Sequence, residues 1–149
     1  MKKDPPIYHP NHPIHLLVGS IQSLSMQGQL YEAFNYFYLL QLHSFSSIIF
    51  LHPIFSLLAA STNLKALLQG KQLHAHIISL GLHSNPFLIS RLSSFYSTVR
   101  LLSDAKTIVE DSNTKHALPW NLLISAYVRN GFSLDAIFVL KKWWEGVAR

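Results

Sequence analysis

The sequence predicts an all-α chain, a right-handed solenoid of about four helix-turn-helix repeats, and three observations carry that expectation. Apolar residues recur at helical spacing, with no sustained strand-like alternation. The same helix-turn-helix pattern returns along the chain at offsets of 37, 35 and 31 residues. One such hairpin has more apolar surface than it can cover by itself, so it must stack on others.

The clearest copy lies near the carboxyl end. Trp120, Leu123, Ile124 and Tyr127 fall at i, i+3, i+4 and i+7, one face of a helix. Asn130 and Gly131 then break it, since both residues take a left-handed backbone cheaply. Ala136, Val139, Leu140 and Trp143 repeat the spacing in a second helix.

Moving towards the amino end, the first-helix face becomes Ile89, Leu92, Ser93 and Tyr96. It is then Ile54, Leu57, Leu58 and Ser61, and finally Leu17, Ser20, Ile21 and Leu24. The second helices keep the same offsets. A small residue stands at Ala33, Gly70, Ala105 and Ala136, each preceded by an acid or amide at Glu32, Gln69, Asp104 and Asp135. A small side chain there is expected to let the two helices of one hairpin approach closely. Gly28 and Gly131 occupy the turn column, with Lys65 and Arg100 in the middle two units. Gly81 and Asn85-Pro86 close the second unit, and residues 112–114 loosen the end of the third. The expected units are 14–50, 51–85, 86–116 and 117–149, the last one incomplete. Residues 1–13, with four prolines, are expected to be a disordered leader.

Composition narrows the chemistry. The 149 residues, 49% of them hydrophobic, suffice for one real core. The absence of cysteine removes disulfides, thiolate zinc sites and cysteine nucleophiles together. A net charge of +5 is compatible with a polyanionic partner without demanding one. The most apolar segment, residues 45–60, is too short to span a membrane and is interrupted by Ser46, Ser47, His52 and Pro53, so no membrane association is expected. Among the nine histidines, His74 and His76 lie two apart, about 200° around a helix, which is not metal-ligand spacing. No metal, no cofactor and no small-molecule substrate is expected. No phosphate-binding glycine loop or nucleophile elbow occurs, so the chain is not expected to be an enzyme.

Unequal hairpins of this kind resemble the pentatricopeptide repeat family, in its plant subclass of alternating long and short motifs (the PLS type). The resemblance rests on QGKQLHAHIISLG (69–81), on Phe95-Tyr96 with LLSDAKTIVE (101–110), and on PWNLLISAYVRNG (119–131). MQGQLYEAFNYF (26–37) is a fainter match. The chain looks like the N-terminal fragment of a longer array.

That resemblance implies single-stranded RNA as the partner, one base per repeat, read by side chains along the concave face. It also implies a role in organelle RNA processing or editing, in mitochondrion or chloroplast, alongside other RNA-editing or processing proteins. The leader lacks the arginine expected of a transit peptide. The editing domain found in relatives needs zinc held by cysteines, which this chain cannot supply.

Carried over by position, the base-reading pairs are Val18 with Phe50, Phe55 with Asn85, and Ser90 with His116. Asn121 would pair with a residue beyond Arg149. Among these, Asn121 has the amide typical of a reader. The second position of each repeat, a wedge between bases, falls on His15, His52, Phe87 and Leu118; Phe87 and Leu118 suit stacking. Structural alternatives stand beside these roles. Asn121 could cap its helix, and Phe87 and Leu118 could be core contacts between hairpins. The competing functional reading is a peptide-binding scaffold of the tetratricopeptide kind, whose fixed period of about 34 residues fits the variable offsets less well.

Overall fold

The computed structural model describes residues 14–44 and 46–148, so the leader expected at 1–13 lies outside the described residues. Among the described residues, eight helices form four successive hairpins. These are α1 (Ile14–Met26) with α2 (Leu30–His43), α3 (Ser47–Asn63) with α4 (Leu67–Ser79), α5 (Pro86–Thr98) with α6 (Leu102–Asp111), and α7 (Ala117–Arg129) with α8 (Ser133–Val147). No strand occurs among the described residues. The protein is an all-α helical-repeat solenoid.

The same backbone device makes every hairpin. The turn residues Gly28, Lys65, Arg100 and Gly131 all have positive φ, between 51° and 81°. Around each, the following amide reaches back five residues to a carbonyl. Gln29 N bonds Leu24 O, Ala66 N bonds Ser61 O, Leu101 N bonds Tyr96 O, and Phe132 N bonds Tyr127 O, all at 2.8–2.9 Å. This left-handed cap satisfies carbonyls that the helix end would otherwise orphan. A left-handed residue with a side chain costs about 1–2 kcal/mol. Lys65 and Arg100 therefore sit in strained positions that the other two hairpins fill with glycine.

The first helices stack on one another in chain order, α1 on α3, α3 on α5 and α5 on α7, while each second helix lies against its own first helix. Both helices of each hairpin feed one core, the second helices through residues such as Phe37, Leu40, Leu73, Ile77 and Val109, and the first helices supply the larger share. Ile54, Leu57, Leu58 and Leu123 have no exposed surface, and Leu17, Ile21, Ile89, Leu92, Tyr96, Trp120 and Tyr127 are buried with them. Burying each such side chain contributes on the order of 1.5–3 kcal/mol.

Contacts between neighbouring second helices are polar and aromatic instead. Gln41 of α2 meets His76 Nδ1 of α4 at 3.2 Å, and Gln72 of α4 bonds the Tyr38 hydroxyl of α2. Lys142 of α8 pairs with Glu110 of α6 at 2.8 Å.

Three details differ from the sequence reading. The boundary placed between residues 50 and 51 falls inside α3, which begins at Ser47 and runs through Pro53. The extra turn is held by Phe50, buried against Phe37 with ring centroids 5.9 Å apart. At Gly70 the tightest approach is to the next hairpin, where the expectation named only the hairpin's own partner. A Cβ there would lie 1.9 Å from Cζ of Phe95, on the first helix of the next hairpin. Leu140, expected on the buried face of α8, is 47% exposed, because it lies off the side of α8 that packs on α7.

Candidate nucleic-acid interface

The stacking of α3, α5 and α7 leaves a cleft of about 410 Å³ lined by Phe55, Phe87, Ser90, Arg91, Ser94, Leu118 and Leu122. Four of the seven sequence-predicted site residues, Phe55, Phe87, Ser90 and Leu118, thus come together from three different repeats. Their spacing explains how. Phe87, Arg91 and Ser94 lie at i, i+4 and i+7 on α5, and Leu118 and Leu122 at i and i+4 on α7, so each helix turns one stripe to the cleft. A second cleft, about 310 Å³, lies between α1 and α3 and is lined by Gln22, Ser25, Met26, Ser56 and the same Phe55. The Phe55 ring stands between the two.

All four second-position residues, His15, His52, Phe87 and Leu118, are exposed. Phe87 keeps 61% and Leu118 48% of its surface open, so neither is the core contact that the structural alternative required. An apolar side chain held open on a packed helix face is available to stack against something else.

The fifth-position column is less uniform. Asn121 is exposed at the fifth residue of α7, whose N-cap is His116, so its amide is not spent on capping. Asn85 is the residue that caps. Its Oδ1 accepts from Phe87 N at 3.0 Å and Leu88 N at 3.1 Å at the start of α5, with Pro86 in the first turn. Only its Nδ2 donor remains for a ligand. Ser90 is 3% exposed and donates its hydroxyl to Pro86 O at 2.8 Å. His116 is exposed, and its own amide donates to Thr114 Oγ1 at 3.2 Å. Phe50, paired with Val18 in the sequence reading, is 2% exposed and belongs to the core.

Sequence reasoning missed Arg91, Ser94 and Leu122. The helical spacing from Phe87 and Leu118 was the signal that could have found them. The histidine pair resolves as two opposite contacts. His74 Nδ1 meets the Tyr96 hydroxyl of α5 at 2.9 Å, while His76 faces back to α2. Burial lowers the pKa of both imidazoles, the nearby Asp104 carboxylate partly opposing it at His74. Burial, and secondarily Asp104, raises that of the Tyr96 phenol. No group of three or more metal-ligating side chains occurs among the described residues, and none of their helices is long and apolar enough to cross a membrane.

Fold and cleft define a class, the helical-hairpin repeat proteins that present an open face along stacked first helices. Within that class, the curated relatives the chain matches are pentatricopeptide repeat proteins of Arabidopsis thaliana. One is 41% identical over 127 residues, covering 85% of this chain and 18% of the relative. Another, named as mitochondrial, is 30% identical over 119 residues, 80% of this chain and 18% of the relative. A third, named as chloroplastic, is 37% identical over 76 residues, 51% of this chain and 11% of the relative. The chain therefore spans less than a fifth of the length of these relatives. No model of a protein family matches it.

Proposed function

We propose that this chain is a pentatricopeptide repeat array of the plant PLS type and that its first-helix face binds single-stranded RNA. It would act as a non-catalytic segment in organelle RNA processing or editing. The observation that carries the reading is the second-position column, four residues from four repeats that all remain exposed along the stacked helices. Phe87 and Leu118 share a cleft of a size suited to a small ligand. Stacking on such side chains tolerates any base, while the exposed amide of Asn121 offers the donor and acceptor that selection requires. Similarity to pentatricopeptide repeat proteins supports the same reading, and the mitochondrial and chloroplastic names among them support an organelle.

Affinity of these units alone should be modest, because Asn121 is the one open amide in the fifth-position column. The test is titration of labelled single-stranded RNA and of a duplex of the same sequence across a salt series. Single-strand binding that weakens as a power of salt concentration, and exceeds duplex binding, is the expected result. Binding of a peptide with little response to salt would instead favour the tetratricopeptide-like scaffold.

A further inference from the structure

Among the seven residues lining the α3–α5–α7 cleft there is one cation, Arg91, and no carboxylate. Arg91 is exposed, and among the described residues it makes no ion pair, hydrogen bond or ring contact. The fold does not use this guanidinium. Its five donors in a planar fork match a phosphate, and it lies one turn beyond Phe87 on the same stripe of α5. The start of α5 cannot play that part, since the Phe87 and Leu88 amides are already taken by Asn85 Oδ1. The groups that could read a base edge here are likewise withdrawn. The Ser90 hydroxyl is buried and given to Pro86 O, and Phe55 has no hydrogen-bonding group.

Resting on the RNA reading above, we propose that Arg91 anchors a backbone phosphate of the nucleotide whose base lies on Phe87 and Leu118. This seat holds any base without selecting one. Charge and lining then divide the labour. The apolar walls take the base face, the guanidinium takes the phosphate, and choice of base is left to Asn121 in the neighbouring repeat.

The test uses the full chain with short labelled homopolymers of uridylate, adenylate and cytidylate, titrated at several salt concentrations. Arg91→Gln weakens binding to all three equally, by about fivefold. It also lowers the slope of log affinity against log salt by about 0.7, the value for one phosphate contact on a single strand. Arg91→Lys keeps the slope and loses part of the affinity. Circular dichroism of each variant should match the parent, because the exposed side chain makes no hydrogen bond or ion pair within the described residues. Salt-dependent binding whose slope is unchanged by Arg91→Gln would overturn the phosphate anchor and leave the RNA reading standing. A change in preference among the three homopolymers would overturn the non-selective seat. If the parent chain bound none of them at low salt, the RNA reading would fail and this inference with it.

Discussion

Helix α3, a first helix inside the stack, and α8, the outer helix of the last hairpin, are both rich in apolar residues and are packed very differently. Helix α3 buries Phe50, Pro53, Ile54, Leu57, Leu58, Ala60 and Ser61, whereas α8 buries only Ala136 and Val139. Composition does not explain the difference, since α8 also carries Ile137, Phe138, Leu140, Trp143 and Trp144. Position does. Helix α3 has α1 on one side, α5 on the other and α4 across it, while α8 packs chiefly on α7. Ile137, Phe138 and Trp144 are left 59–66% exposed. In a stacked array the burial of a helix is a property of its neighbours as much as of its own residues.

Breaking the middle should therefore cost far more than altering the end. The largest effect is expected at Leu57, whose replacement by alanine should lower stability by about 3 kcal/mol. Leu140→Ala in α8 should stay within about 0.5 kcal/mol. Urea denaturation of the two variants measures the contrast directly, and equal losses would mean that α8 is as well supported as α3.

Gly70→Ala sharpens the point at the seam between hairpins. Its methyl would enter the ring of Phe95, which is fully buried and cannot swing away. Overpacking of this kind costs about 1–3 kcal/mol, and we expect the upper end. Because the clash lies between α4 and α5, protection from hydrogen exchange should fall in both hairpins together.

The smallest effect is electrostatic. The folded-state pKa of His74 is lowered, so the unfolded chain binds the proton more readily. The stability contributed by the neutral imidazole is present above about pH 6.5, the ordinary histidine value, and is lost as pH falls towards the lowered folded value. The groups facing it are the Tyr96 hydroxyl and the Asp104 carboxylate. Denaturation midpoints followed from pH 7.5 to 5.5 should decline, and His74→Gln should make that decline shallower, leaving the part that comes from His76, whose pKa burial also lowers. The end of the array has no counterpart among its described residues, so Leu140→Ala should leave the pH profile unchanged.

Much of this was legible in the chain itself. The four-fold recurrence of apolar faces placed every hairpin, and the turn column at residues 28, 65, 100 and 131 coincides with four positive-φ residues. It did so even where lysine or arginine stands in place of glycine, because repeat period rather than residue type located the turn. The start of α3 was not legible. Pro53 and His52 read as an interruption, and only packing of Phe50 on Phe37 carries the helix back to Ser47.

The candidate site divides along the same line. The repeat offset of 31 residues put Phe87 and Leu118 at equivalent positions of successive repeats, and the family resemblance singled that position out, because periodicity is written in the order of residues. Whether those side chains were core or open surface, and that Arg91 shares a cleft with Phe55, were decided by the stacking of three helices. Such facts depend on contacts between residues more than thirty positions apart. A periodic pattern fixes which face a residue occupies, and only the neighbouring helix determines whether that face is covered.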